Sequence, residues 1–408
     1  MAMAPPLSHR DITRFHHHPH LISLLKHYGK TNSLSSGRIL HDFLLRSTCF
    51  DHDQSLQNLL VDMYGSCGSL KEAQNIFDSL LHPNVYSWNV LLHGYGKHGS
   101  LAEARSVFER IPHPDVCSWN TLIKLVSQYG CLDDTKFVFG MIPYRNVVSW
   151  NALITGYAEH DQNEEVLKCY EQMLSEGLSP NEVTYIGVLN ACGSTRAIHK
   201  GTLIHEEIVS KDLLKKDISL ASALVSMYAK CGALVKAHSG FEEIRVRNVV
   251  SWNALITGYV QHGQEHEALN SFERLRTEGF LPNAVTFTCI LKACGSVGAI
   301  DKGKQIHDEI VNLGLLKEDL VLGNALVDMY VKYGMMEKAQ EVLQKLLIRD
   351  VVSWNSLFAG YVQHGWDHKA LDCYELMQFE GLTPNAITFT CIFMLVSLSH
   401  VDCFFPQT

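Results

Sequence analysis

The sequence predicts an all-α protein, an α-solenoid of stacked helical hairpins, and three observations predict it. Trp88, Trp119 and Trp150 stand 31 residues apart, and Trp150, Trp252 and Trp354 stand 102 apart. The text around the last three repeats almost word for word: NVVSWNALITGY at 146–157 and again at 248–259, then DVVSWNSLFAGY at 350–361. Within each copy the apolar residues fall at helical spacing. Copied units of this size stack into solenoids or propellers, and the helical period selects the solenoid.

The 102-residue superperiod divides into units of 35, 36 and 31 residues: 147–181, 182–217 and 218–248, repeated as 249–283, 284–319 and 320–350. Another 35-residue unit occupies 351–385. Residues 386–408 open a further repeat whose text is lost from Phe393; the apolar 392–398 stretch, Phe404 and Phe405 are expected to be exposed or partner-bound. Upstream, 31-residue units fill 54–84, 85–115 and 116–146. Residues 18–53 fit the 36-residue type, because Gly29, Gly37 and His41 match Gly193, Gly201 and His205.

Unit 249–283 shows the pattern shared by the others. Trp252, Leu255, Ile256 and Tyr259 stripe a first helix at i, i+3, i+4 and i+7. His262-Gly263 ends it. Ala268, Leu269, Phe272 and Leu275 stripe a second helix, stopped by Gly279 and Pro282. Helices of about a dozen residues are marginal alone in water. Stability is therefore expected from stacking unit on unit, with Trp252 and its copies inside the packing.

Composition narrows the function classes. The chain is 46% hydrophobic, with a formal net charge of −9. No apolar run reaches the roughly 18 residues that mark a membrane span. Duplex-DNA binders usually carry a basic domain, so DNA is not an expected partner. The twelve cysteines form no C-x-x-C pair. Cys67 and Cys231, Cys192 and Cys294, and Cys289 and Cys391 share repeat positions, as small packing residues would. They are expected to be reduced thiols, not a zinc site or disulfides.

The H-x-E pattern occurs at His205–Glu207 and His307–Glu309. Zinc deaminases need it together with P-C-x-x-C, which is missing, and both copies sit at one repeat position. No catalytic residue, metal or cofactor is expected, and the chain is not read as an enzyme. Residues 1–17 lack the apolar core of a secretory signal and are read as a disordered leader, short for a transit peptide. The histidines at 16–18 and 20 are read as solvated.

The unit order and its text resemble the pentatricopeptide repeat (PPR) proteins of plants, in the class that alternates P, L and S motifs. The resemblance covers about residues 18–392. It rests on the 35-36-31 order, VVSWNALITGY, MYAKCG at 227–232, and EGLSPNEVTY and EGFLPNAVTF at 176–185 and 278–287. LxACGS with KGxxIH marks the 36-residue units, at 189–194 with 200–205 and at 291–296 with 302–307. The tetratricopeptide pattern, with its period of about 34 residues, matches less well. The resemblance implies a right-handed superhelix that lacks the family's C-terminal extension and deaminase-like domain.

It also implies single-stranded RNA read one base per unit, by the fifth and last residues of each. Those residues are Asn58 with Asn84, Asn89 with Asp115, Asn120 with Asn146, and Asn151 with Asn181. They continue as Ser222 with Asn248, Asn253 with Asn283, Asn324 with Asp350, and Asn355 with Asn385. Ile186 with Asp217 and Thr288 with Asp319, in the 36-residue units, are left unassigned. An Asn amide both donates and accepts, whereas an ionised Asp only accepts. Family rules give cytosine or uracil for Asn-Asn, uracil for Asn-Asp and adenine for Ser-Asn, hence a pyrimidine-rich 5′-C-U-C-C-n-A-C-n-U-C-3′.

The second residues Val148, Val250, Val321 and Val352 would flank the bases, a role compatible with helix-entry packing. Lys97, Lys230 and Lys332 share the thirteenth position and are phosphate candidates. The expected role is to specify a C-to-U editing site in an organelle, mitochondrial with the chloroplast as alternative, with an editing factor or deaminase acting in trans. The competing expectation is a protein-interaction scaffold. The recurrent Asn at one register favours RNA.

Overall fold

A computed structural model describes residues 18–45, 53–130, 132–214, 217–317 and 319–398. The leader 1–17 and the tail bearing Phe404 and Phe405 lie outside the described residues. The described residues hold 23 α-helices and no strand. Each unit is a pair of them. Unit 249–283 contains Val249–Gln261 and Glu265–Thr277, and unit 320–350 contains Leu320–Lys332 and Met336–Lys345. The last helix, Ala386–Leu398, continues past Phe393, where the repeat text is lost. The protein is an all-α repeat solenoid. It divides into two compact bodies, 1–191 and 192–408.

Three recurring contacts hold neighbouring units together. First, the tryptophan at the fourth position meets a phenylalanine from the second helix of the unit before it. Phe77–Trp88, Phe108–Trp119 and Phe139–Trp150 in the first body, and Phe241–Trp252 in the second, stand edge-on at 4.4–4.7 Å between centroids. Trp150 and Trp252 are fully buried, so these rings are packing and not a ligand surface.

Second, the glycine of the recurring x-Gly-Tyr lets adjacent first helices cross closely. A Cβ on Gly94 would stand 2.9 Å from the Gly65 Cα, and one on Gly258 would stand 2.4 Å from the Ala229 Cβ. Third, an arginine just before the unit boundary reaches a glutamate late in the next unit. Arg145–Glu176, Arg247–Glu278 and Arg349–Glu380 pair at 3.3, 2.9 and 2.5 Å. Glu176 and Glu380 also accept the indole N–H of Trp150 and Trp354, at 3.0 and 2.8 Å.

The second body carries one packing defect. Ile76, Val107, Val138 and Val342 fill one position in the second helix of their 31-residue units, and all are buried. Unit 218–248 has Gly240 there, beside a cleft of ≈ 580 Å³ lined by Val209, Leu214, Ala221, Leu224, Ile244 and Val246. A Cβ on Gly240 would meet only the Val225 Cγ2, at 4.0 Å.

Gly240→Val should stabilise the protein by about 1–2 kcal/mol, through burial of the new side chain and the removal of a mid-helix glycine. Gly258→Val should cost about 1–3 kcal/mol by overpacking. Denaturant titration of the two variants against the parent checks both signs.

Candidate functional site

The first turn of a helix leaves backbone N–H groups without intrahelical partners, and an Asn or Asp just before it can accept from them. The last residue of a unit is that N-cap. Asn84, Asp115, Asn146 and Asn181 accept from the N–H three residues on, in Ser87, Ser118, Ser149 and Thr184, at 2.8–3.1 Å. Asn248, Asn283, Asp350 and Asn385 do the same with Ser251, Thr286, Ser353 and Thr388, at 2.8–3.1 Å. The predicted selecting residues at the unit ends thus have a structural duty as well.

The fifth residues lie one turn into the first helices, and most are tied to the cap that closes their own unit. The Nδ2 amide group donates to the cap's Oδ1 in Asn89–Asp115, Asn151–Asn181, Asn253–Asn283, Asn324–Asp350 and Asn355–Asn385, at 2.9–3.3 Å. The structure therefore brings both members of five predicted pairs into direct contact. A third member, which sequence reasoning missed, completes the group: the hydroxyl three residues into the following unit. Ser118, Thr184, Thr286, Ser353 and Thr388 donate to the Oδ1 of Asn89, Asn151, Asn253, Asn324 and Asn355 at 2.5–2.8 Å. All five hydroxyl residues are fully buried. The sequence did carry a signal, because Asn or Asp followed three residues later by Ser or Thr is a capping pattern related to the capping box.

Three pairs depart from this pattern. Asn120 receives the Ser149 hydroxyl on its Oδ1 at 2.7 Å, as in the five, without the amide bond to its own cap. Asn58 is buried and its Oδ1 has no partner, since the Ser87 hydroxyl donates to Asn84 Oδ1 at 3.0 Å. The Ser222 hydroxyl donates to the Ile218 carbonyl at 2.8 Å, and Ser251 donates to the Asn248 carbonyl at 2.8 Å. The 36-residue units lack the arrangement. Asp217 and Asp319 cap Leu220 and Leu322 at 3.2 and 3.0 Å, and neither leucine has a hydroxyl to offer.

The remaining hydrogen-bonding capacity follows by elimination. An Asn amide has two N–H donors and an oxygen with two lone pairs. In Asn253 one lone pair is taken by Thr286 and one N–H by Asn283, which leaves one N–H and one lone pair. In Asn283 the oxygen accepts two bonds and the amide nitrogen is left. An Asn-Asn pair therefore has more donors than acceptors to offer a ligand. Asn-Asp pairs offer a donor and a carboxylate oxygen. Burial works to raise the Asp115 and Asp350 carboxyls. The hydrogen bonds from Ser118 and Asn89, and from Ser353 and Asn324, outweigh it and hold both below their ordinary values.

The second-position valines occupy the same face. Val148, Val250, Val321 and Val352 are 52–63% exposed, so helix-entry packing uses less than half of each. Val183, Val285 and Ile387, not singled out from the sequence, are similarly exposed. In the first body a cleft of ≈ 920 Å³ brings together Asn120, Asn146, Val148, Lys97 and Lys124. The lysines are less uniform than their register. Lys97 donates to the Ser66 carbonyl at 3.2 Å, Lys332 pairs with Asp328 at 3.0 Å, and Lys230 is exposed.

The H-x-E residues are engaged in the packing. His205 and His307 bond through Nδ1 to Tyr228 and Tyr330 at 2.9 and 2.7 Å, and Glu207 pairs with Lys211 at 2.8 Å. Burial raises the Cys192 and Cys294 thiols to about 11. No group of His, Cys, Asp or Glu among the described residues could hold a metal ion, and no helix there is long and apolar enough to cross a membrane.

Copied hairpins joined by capped boundaries define a helical-repeat protein, and comparison with known proteins names the repeat. The PPR repeat family matches residues 145–194, 247–296 and 349–395. Further PPR repeat matches cover 79–112, 58–82, 220–249, 285–315 and 324–351. The chain belongs to the pentatricopeptide repeat family. A mitochondrial pentatricopeptide repeat-containing protein of Arabidopsis thaliana is 33% identical over 90% of this chain and 48% of its own length. A chloroplastic one is 29% identical over 93% of this chain and 39% of its own length. The chain thus spans less than half the length of these curated relatives. The pentatricopeptide repeat protein PPR10 of maize, in a crystal structure with an 18-nt psaJ RNA element, superposes with a TM-score of 0.69. It is 23% identical over 90% of this chain and 55% of that one, a likeness of fold.

Asn283→Ala removes a cap and should cost about 1 kcal/mol, measured by denaturant unfolding. The lowered pKa values of Asp115 and Asp350 fix a sign as well. Their contribution to stability is fully present above the unfolded-state value of about 3.9 and is lost as pH falls through the lower folded values. The double variant Asp115→Asn with Asp350→Asn should lose less stability than the parent on acidification from pH ~5 to ~2.

Proposed function

We propose that this chain binds single-stranded RNA in a sequence-specific manner, one base to each 31- or 35-residue unit, and that it does so in a plant organelle. The observation that carries the reading is the set of hydrogen-bonded pairs at one register, each with its spare donors and acceptors fixed. Two donors from Asn253 and Asn283 suit a base edge that offers acceptors, such as cytosine N3 and O2 or the uracil carbonyls. A donor beside a carboxylate, in Asn89–Asp115 and Asn324–Asp350, suits the carbonyl and N3–H of uracil. Ser222 has given its hydrogen to the helix, so its oxygen only accepts, and its small size leaves room for a purine such as adenine beside Asn248. The exposed second-position valines supply apolar surface for the base faces.

The target is accordingly the pyrimidine-rich 5′-C-U-C-C-n-A-C-n-U-C-3′, with the N-terminal units at its 5′ end. The relatives named mitochondrial and chloroplastic, and PPR10 with its RNA element, support the organelle and the ligand class. Specification of a C-to-U editing site, with a deaminase or editing factor in trans and a mitochondrial location, is the finer form of this reading. It draws on the family resemblance. The three lysines at position thirteen would contribute few phosphate contacts, because Lys332 already has a carboxylate partner.

Filter binding should show tight association with 5′-CUCCAACGUC-3′ and weak association with its purine-swapped counterpart. The salt slope should be shallow, roughly −2 for three phosphate contacts on a single strand. Changing Asn253→Thr and Asn283→Asp together should move the preference of that unit towards guanine. Equal binding of both RNAs, or none, would defeat the reading in favour of a protein-interaction scaffold.

A further inference from the structure

We propose that the buried hydroxyl at the third position of a unit is a specificity-determining residue for the unit before it, because it locks the reading amide in one orientation. The inference rests on the RNA reading above and extends it to residues that would touch no base.

Thr286 shows the lock most fully. Its Oγ1 lies 2.7 Å from Asn253 Oδ1 and 3.0 Å from Asn283 Oδ1, and it accepts the Asn283 N–H at 3.2 Å. A hydroxyl has a single hydrogen to give. Asn283 Oδ1 already accepts the Thr286 N–H and an Asn253 N–H, at 3.1 and 3.0 Å. The Thr286 hydrogen therefore belongs on Asn253. Turning the Asn253 amide over would set its oxygen against the Asn283 oxygen and forfeit both bonds. With the hydroxyl in place, Asn253 is held by two bonds in one orientation, with one N–H spare and one lone pair of its oxygen already used. Without it, the amide is held by one bond and both lone pairs of its oxygen are open, so the preference for bases that accept is weakened.

Where an amide stands at the fifth position, the hydroxyl bonds to it in all units but one; Ser251, which follows Ser222, turns instead to the Asn248 carbonyl. Six fifth-position amides, at Asn89, Asn120, Asn151, Asn253, Asn324 and Asn355, each receive such a bond. Units 182–217 and 284–319 have no amide there, only Ile186 and Thr288, and they are followed by Leu220 and Leu322. The exception among the amides is Asn58, whose oxygen is buried without a partner. Unit 54–84 is thus the unlocked reader, and its base should be the least discriminated of the Asn-Asn positions.

The test compares Thr286→Val, which keeps the shape and removes the hydroxyl, with Thr286→Ser, which keeps the hydroxyl. Binding is measured to four RNAs that differ only at the base opposite unit 249–283. The parent and Thr286→Ser should prefer pyrimidine by about ten-fold or more, and Thr286→Val by no more than about two-fold. Discrimination opposite unit 351–385 should be unchanged in all three. Equal weakening of all four RNAs by Thr286→Val, with discrimination intact, would mean a structural role and would overturn the proposal.

A second readout separates this failure from that of the RNA reading. In protein labelled with 15N-asparagine, Thr286→Val should shift or merge the two Asn253 side-chain N–H signals. If the parent binds none of the RNAs, the RNA reading falls and with it the specificity role. Unchanged Asn253 signals would remove the lock itself, whatever the RNAs show.

Discussion

The side-chain cap at the boundary between units is the interaction on which both the fold and the site depend. Every first helix begins with unsatisfied N–H groups, and a dozen-residue helix has little stability to spare. Asn or Asp at the last position meets that need, and in doing so its Oδ1 is engaged by the helix. Asn283 shows the consequence. The bond from Thr286 N–H fixes Oδ1, Oδ1 fixes Asn253, and the pair is assembled before any ligand arrives. The entropy of ordering two polar side chains is met during folding and not during binding.

The 36-residue units solve a different problem with the same scaffold. Their second helix carries a glycine into which the next unit inserts a methionine: a Cβ on Gly37, Gly201 or Gly303 would stand 2.5–2.6 Å from the sulfur of Met63, Met227 or Met329. Four residues on, His41, His205 and His307 bond to Tyr64, Tyr228 and Tyr330 at 2.7–3.0 Å. Burial lowers the pKa of all three imidazoles, so the neutral form that the packing needs is favoured. A 31-residue unit makes a similar bond, from His238 to Tyr259 at 2.9 Å.

Much of this was legible in the sequence, for reasons that differ by residue. The repeat of Trp-Asn text gave the hairpins, because a stripe at i, i+3, i+4 and i+7 has few other foldings. The register of Asn253 and Asn283 gave the pair. That Thr286 binds them both was open to view in the Asn-x-x-Thr spacing, but a capping pattern does not announce that its hydroxyl will reach across to the preceding helix. That needs the distance between helices, which the sequence does not state. Gly240 is similar. Comparison with Ile76, Val107, Val138 and Val342 marks it as odd, yet only packing shows that Ile244 and Ala221 leave the space open. Lys332 and Asp328 are four apart on one helix, a pairing that register alone foretells and that the thirteenth-position stripe obscured.

The balance of forces at the site follows from the charge. With −9 overall and its position-thirteen lysines partly engaged, this chain has little electrostatic attraction to offer a polyanion. On the RNA reading proposed above, affinity would then come from contact with the exposed valines and from hydrogen bonds at the pairs. Hydrogen bonds exposed to water are individually modest in net worth, but a mismatched base leaves a donor or acceptor unpaired in a confined site, which costs more than a good match gains. A chain that reads RNA in the proposed way would gain more discrimination than affinity from each unit, and affinity would accumulate through the number of units. The hydrogen-bonded group that recurs in five units, at closely similar distances, is consistent with such a balance.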